Sequence, residues 1–270
     1  MMMHSLSKSA AAGAVDTHFH VFGAGVAVKG ARYVPAYDAT LAQWRAAAGS
    51  AGVARGVLVQ TSFLGTDNSR LLRELDAHPG LLRGVAVVAP DAPATLIQDL
   101  HRRGVRGIRL NLSGRTTAIP EWSAAAALWD ALGALGWHVE LHTDVGTLPA
   151  VVAQLPSHLP LVIDHMGKPD AVRRDDPTVA TLVRQAATRR LWIKLSGPYR
   201  LHGRDAGALA KLWHGELGSA ALLWGSDWPF TNHEHEARYD VLHRALFDWL
   251  DEATAIRVLR DNPNAVYWSA

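Results

Sequence analysis

Short runs rich in β-branched residues alternate along this chain with Ala/Leu-rich stretches of helical character, and that alternation constrains the fold more than any other feature. The strand candidates are Val15–Phe22, Gly56–Phe63, Leu82–Pro90, Val105–Ser113, His138–Asp144, Leu161–Gly167, Leu191–Gly197 and Leu222–Pro229. Helical stretches are read at Leu41–Ala51, Asn68–His78, Ala94–Arg103, Glu121–Leu135, Thr178–Arg189, Ala206–Glu216, Glu236–Leu250 and Ala253–Arg260. Asp67 before the second helix, and Gly104 and Gly136 after later ones, supply start and stop signals.

Such alternation implies parallel strands, because a return to the same sheet edge needs a crossover. Eight units in 270 residues match a closed (β/α)8 TIM barrel, an α/β fold of typically ~250 residues. A doubly wound open sheet is the competing arrangement. Against it, no Gly-rich dinucleotide fingerprint follows the first strand, where Val21-Phe22-Gly23-Ala24-Gly25 leads into a long loop. No low-complexity linker or internal repeat divides the chain. Residues 15–270 are therefore expected to form a single barrel domain, and residues 1–14 a disordered or extended tail.

Composition narrows the function. With 27 Lys+Arg against 25 Asp+Glu and no basic run, nothing points to nucleic acid. The absence of cysteine excludes disulfides, thiolate metal sites and cysteine nucleophiles. Met1–Ala14 lacks the continuous apolar stretch of a signal peptide, and no later segment approaches the roughly 18 apolar residues of a membrane helix. The expectation is a cytoplasmic protein without membrane contact, monomer or homodimer.

In a barrel of this kind the C-terminal strand ends form the active face. With a side-chain period of two, His18 and His20 of the first strand point the same way, into the barrel. The fifth strand brings His142 and then Asp144, the sixth Asp164 and His165, the seventh Lys194 and Ser196, and the eighth Asp227. An unpartnered polar group in a core costs roughly 1–3 kcal/mol, so their convergence on one end is better explained by a site. His138 at the start of its strand reads as structural, and His233 and His235 as loop residues. Arg109 and Asn111 share a face of the fourth strand, and Arg200 follows the seventh. A guanidinium in a barrel mouth needs an anionic partner, either a protein carboxylate or one on a substrate. Thr61 and Ser62, ending the second strand, add hydrogen-bonding groups. Together these suggest a small acidic substrate.

The ordered segments Asp16-Thr17-His18-Phe19-His20, Gln60-Thr61-Ser62, Arg106-Gly107-Ile108-Arg109-Leu110-Asn111, Asp164-His165-Met166-Gly167-Lys168-Pro169 and Gly225-Ser226-Asp227-Trp228-Pro229 resemble the amidohydrolase superfamily, in its 2-pyrone-4,6-dicarboxylate lactonase-like branch. The likeness runs from Val15 to Trp268. It implies a hydrolase opening the ring of a small carboxylated lactone, of the pyrone-dicarboxylate, muconolactone or sugar-acid kind. Asp227 would be the general base, and His18, His20 and His165 would polarise the carbonyl. Arg109, Arg200, Ser62, Asn111 and His142 would contact the substrate.

Two positions depart from the pattern. Arg109 stands where many amidohydrolases carry the lysine that bridges two metals, so a bridged pair is not expected. His142 stands where the dicarboxylate lactonase has a tyrosine, which opens the choice of lactone. The reading favours an enzyme without cofactor. The alternative is one divalent metal, zinc, on His18, His20, His142 and Asp227. The rival activities are a metal-dependent decarboxylase of the same superfamily and an inert binding scaffold.

Overall fold

The computed structural model describes residues 13–269. The expected tail falls on residues outside that span except Gly13, in a turn, and Ala14, which opens the first strand fully buried. The strands are β1 Ala14–Phe19, β2 Val53–Val59, β3 Leu82–Ala86, β4 Val105–Asn111, β5 His138–His142, β6 Leu161–Ile163, β7 Leu191–Leu195 and β8 Leu222–Trp224. They form one eight-stranded sheet in chain order, every neighbouring pair parallel. The ring closes through the segment after β8. The Asp227 N–H donates to the His18 carbonyl at 2.8 Å, and the His20 N–H to the Trp228 carbonyl at 2.9 Å. This is a TIM barrel, and the open-sheet alternative falls with the closure.

The helices between strands are α1 Leu41–Ser50, α2 Ser69–Ala77, α3 Ala94–Arg102, α4 Ala126–Ala134, α5 Leu148–Val152, α6 Pro177–Ala186 and α7 Ala206–Leu217, and α8 Tyr239–Trp249 and α9 Glu252–Ile256 follow β8. α5 had no counterpart in the sequence reading, because its five residues are too few to establish a helical period. The expected Glu121–Leu135 helix divides into a 3-10 turn at Pro120–Trp122 and α4. Most strands also stop short of their expected ends. β6 ends at Ile163 because His165 and Met166 adopt φ of 50° and 57°, which leaves the ladder and forms a tight turn. The early exits free the side chains beyond them to face the barrel mouth.

Apolar residues fill two layers. Between strands and helices lies the main core, including Phe19 stacked on Trp44 with ring centres 4.0 Å apart. Inside the barrel Val57, Val59, Val85, Val162 and Leu223 pack with Tyr267, delivered by the final turn Asn264–Trp268. Asp16 ties β1 to its neighbours from outside the ring. Its buried carboxylate accepts from Ser226 N–H (2.8 Å), Ser226 Oγ (2.6 Å), Trp44 Nε1 (2.9 Å) and Tyr239 Oη (3.1 Å). A buried carboxylate is tolerable only when satisfied in this way.

Candidate active site

The period-two face of each strand decides what the barrel encloses. Registers pair Arg109 with Glu140 and Asn111 with His142 across β4 and β5. Gly107 pairs with His138, and its missing side chain makes the space that the His138 ring occupies, since a Cβ would stand 2.5 Å from Nε2. Above the apolar interior these residues build a charged layer. Lys194 contacts Glu140 Oε2 closely and lies 3.6 Å from Asp164 Oδ1. The Asp164 Oδ2 accepts from Arg109 Nε at 3.0 Å, and Arg109 Nη2 lies 3.0 Å from the same oxygen. Three cations, Arg109, Lys194 and Arg200, thus face three carboxylates, Glu140, Asp164 and Asp227.

His18, fully buried, sits between this layer and the mouth. Its Nδ1 lies 3.2 Å from Lys194 Nζ and 3.1 Å from Asp164 Oδ1, and its Nε2 lies 3.2 Å from His20 Nε2. Burial lowers its pKa to about 3, so the ring is neutral. The His20 Nδ1–H donates to the Val59 carbonyl at 2.7 Å. Asp227, held at φ 61° by its own N–H bond to His18, points Oδ1 at both rings, 3.6 Å from His18 Nε2 and 3.7 Å from His20 Nε2. Its Oδ2 accepts from Arg200 Nε at 2.6 Å and Tyr199 Oη at 2.8 Å. Burial pushes the Asp227 carboxyl up, but Arg200 together with His165, His20 and His18 outweighs it and holds the group well below the usual carboxylate range.

His165 is placed by Ser196. The His165 N–H donates to Ser196 Oγ at 3.3 Å, and the same hydroxyl lies 3.0 Å from His165 Nδ1. Among the described residues the Ser196 hydroxyl hydrogen has no acceptor but Nδ1, and donated there it leaves the ring hydrogen on Nε2. Gly197 is required beneath the ring, since a Cβ there would stand 2.9 Å from Nδ1.

A cavity of about 420 Å³ opens over this floor. Of the sequence-derived residues, His20, Ser62, Arg109, Asn111, His142, His165, Arg200 and Asp227 line it. His18 lies just beneath. The residues that sequence reasoning missed are mostly cations at the rim. Lys29 and Arg32, from the loop after β1, and Arg115, after β4, are exposed and line the cavity, while Asp227 is the only acidic lining residue among the described residues. Arg32 bonds the Ser113 carbonyl. No local signal marks these three, because loops carry no period.

Both expected carboxylate clamps are already engaged, Arg109 by Asp164 and Arg200 by Asp227. Arg200 Nη2 also donates to the Thr231 carbonyl at 3.1 Å. Among the described residues its Nη1 has no hydrogen-bond partner and can meet an incoming anion. His142 is turned to cations: its Nδ1 lies 3.3 Å from Arg109 Nη2 and its Nε2 3.0 Å from Lys168 Nζ. Burial lowers the Lys168 pKa to about 8 and holds His142 well below its ordinary value.

His18, His20 and Asp227 bring one ligand atom each within 4.8 Å of one another. Tetrahedral zinc with bonds of about 2.0–2.1 Å puts its ligands roughly 3.3 Å apart, so the spacing alone suits a cation. His142, the fourth member of the sequence-derived metal set, is not in that group. No helix among the described residues is long and apolar enough to cross a membrane.

Residues 15–268 match the family described as Amidohydrolase. A 2-pyrone-4,6-dicarboxylate hydrolase of Comamonas testosteroni is 32% identical, the match covering 95% of this chain and 90% of that protein. A 4-sulfomuconolactone hydrolase of Hydrogenophaga intermedia is 27% identical over 94% and 88% of the two chains. The crystal structure of a probable 2-pyrone-4,6-dicarboxylic acid hydrolase from Acinetobacter baumannii, with citric acid bound, superposes with a TM-score of 0.82 at 30% identity. It covers 95% of this chain and 100% of its own.

Proposed function

The chain belongs to the amidohydrolase family, and from that premise we propose that it hydrolyses a small lactone bearing carboxylate or similar anionic groups. The observation that carries the reading is Asp227. It is a buried, ionised carboxylate with Oδ2 held by Arg200 and Tyr199 and Oδ1 free over the floor of a cation-rimmed cavity. The two curated relatives act on anionic lactones, one a dicarboxylate and one a sulfonated muconolactone. The rim of Lys29, Arg32 and Arg115 suits the same class, and electrostatic complementarity favours it over neutral rings.

In the proposed reaction a water oxygen attacks the ring carbonyl carbon while Asp227 Oδ1 accepts one of its protons. Charge builds on the carbonyl oxygen, where the Nε2–H of His165 is a placed donor, a contribution of about 3 kcal/mol for a well-aimed group. An oxygen settling among His18, His20 and Asp227 would also attract the Nε2 hydrogen of His18 away from His20. The carbonyl then re-forms, the ring C–O bond breaks, and the proton held by Asp227 passes to the departing oxygen. The products, on one open chain, are a hydroxyl or enol and a new carboxylic acid, which ionises by losing the water's second proton to solvent. Arg200 Nη1 and the rim cations hold the substrate's anionic groups, while Ser62 and Asn111 offer polar contacts beside them.

Lactones carrying no, one and two anionic groups separate this reading from its rivals. The expected result is kcat/KM rising with each added anion, and loss of turnover in Asp227→Asn with unchanged circular dichroism. Near-normal hydrolysis by that variant would remove Asp227 from the mechanism, and no ring opening of any member of the panel would overturn the proposal.

A further inference from the structure

Lys194 has no place in the reaction above, yet it is fully buried inside the barrel. Burying an ammonium is costly, and an apolar residue of similar volume would pack there without that penalty. Its neighbours show what it does. An ammonium offers donors only. One goes to Glu140 and one to His18 Nδ1, 3.2 Å away. A ring nitrogen that accepts from Lys194 bears no hydrogen of its own. Asp164 Oδ1 is near the same Nδ1 but receives no hydrogen bond. The hydrogen therefore sits on Nε2. Only one hydrogen fits in the 3.2 Å gap between His18 Nε2 and His20 Nε2, and His20 donates its own from Nδ1 to Val59. The bonds run in one direction, from Lys194 to His18, to His20, to the Val59 carbonyl. Both ends are fixed, one by a group that can only donate and the other by a group that can only accept.

We propose that Lys194 is a positioning residue that sets the tautomers of His18 and His20 and so withholds both Nε2 lone pairs from a divalent cation. The spacing of His18, His20 and Asp227 suits a metal, but the hydrogens do not: His18 Nε2 bears one, and His20 Nε2 accepts it. Charge points the same way. With Lys168 beside His142, four cations, Arg109, Lys168, Lys194 and Arg200, already surround the carboxylates Glu140, Asp164 and Asp227, so a dication would stand uncompensated.

The test reads tautomers directly, in full-length protein without ligand, by long-range proton–nitrogen correlation on 15N-histidine-labelled material, with signals assigned through His18→Gln and His20→Gln. The expected pattern is hydrogen on Nε2 of His18 and on Nδ1 of His20. Hydrogen on Nδ1 of His18 in the wild-type protein would overturn the proposal. In Lys194→Met the His18 hydrogen should move to Nδ1, facing Asp164, and zinc should bind at least about tenfold more tightly by calorimetry, a change within the range of effects of residues behind metal ligands. Lys194→Gln retains an amide donor and serves as the variant that leaves Glu140 partnered. It should keep the wild-type tautomer and weak zinc binding. Stoichiometric, tight zinc on wild-type protein with shifted His18 and His20 signals would also sink the idea. None of these measurements uses a substrate, so a failure of the lactone reading leaves this one standing, and the reverse.

Discussion

Arg200 donates from Nε to Oδ2 of Asp227 across 2.6 Å, the bond that holds the proposed base in its ionised form. A carboxylate so stabilised is a weak base, and catalysis by it leans on stabilisation of the oxyanion and on how the substrate is held. In the proposed reaction the free Nη1 of the same guanidinium takes the substrate's anion, so base and substrate share one cation.

A pH profile tests that pairing. As the proposed base, Asp227 would act when ionised, and its pKa is lowered, so the acid limb of kcat/KM should lie below the ordinary carboxylate value of 3.8. Arg200→Gln removes the largest of the effects that lower it and leaves burial, which raises it, opposed only by the histidines. The limb should then move upward by one or more units, each worth about 1.4 kcal/mol between the two protonation states. An unmoved limb would show that Arg200 does not tune the base. The same pairing stabilises the fold above the unfolded carboxylate's pKa and is lost as pH falls through the depressed folded value.

The rim cations should act on binding more than on chemistry. Arg115→Ala and Lys29→Ala should each raise KM for a doubly anionic lactone by roughly tenfold with kcat little changed, because they meet groups present equally in ground and transition states. The effect should shrink in high salt, where exposed charges are screened. Steady-state kinetics at two ionic strengths would show it. An equal loss in kcat would instead place these side chains in contact with the reacting centre.

Much of this architecture was legible before any coordinates. Eight runs of β-branched residues stood out because each is buried on both faces, and period two put His18 with His20 and Arg109 with Asn111. The partners of the charges were not legible. Arg109 meets Asp164 across 55 positions and Arg200 meets Asp227 across 27, and which carboxylate a guanidinium finds depends on how strands stagger around the ring. Glu140 was passed over between Val139 and Leu141, since one charged residue in a short strand reads like any half-exposed position. Period two puts it on the face of His142, and only closure of the barrel shows its partner, Lys194. Lys168 was hidden for another reason: its φ of 43° turns it back under His142, a geometry no spacing rule anticipates.

Lys168 gives a prediction about stability at alkaline pH. Its folded pKa is about 8, against 10.5 for a free lysine. Between those values the unfolded chain binds the proton and the folded one does not, so this group makes stability rise with pH across that window. The slope per proton is at most about 1.4 kcal/mol per pH unit. Urea unfolding of the wild type and Lys168→Met from pH 8 to 10 should show the variant losing that upward slope, and parallel curves would contradict the burial argument.

Closure of the barrel offers the last prediction. Gly225, just after β8, lies against the backbone of β1, and a Cβ there would stand 2.6 Å from His18 Cβ and 3.0 Å from its backbone nitrogen. Neither atom can yield, because His18 is bonded to Asp227 through its carbonyl and to Lys194 and His20 through its ring. Gly225→Ala should therefore cost about 1–3 kcal/mol, the usual toll of overpacking. It should also displace His18 enough to lower kcat. Gly215, inside α7 with open space where its Cβ would be, is the matched control. Gly215→Ala should raise stability by roughly 0.5–1 kcal/mol and leave kcat unchanged. Chemical denaturation and steady-state kinetics on the pair decide the matter: if both glycines respond alike, the close approach at His18 is not what shapes the floor of the site.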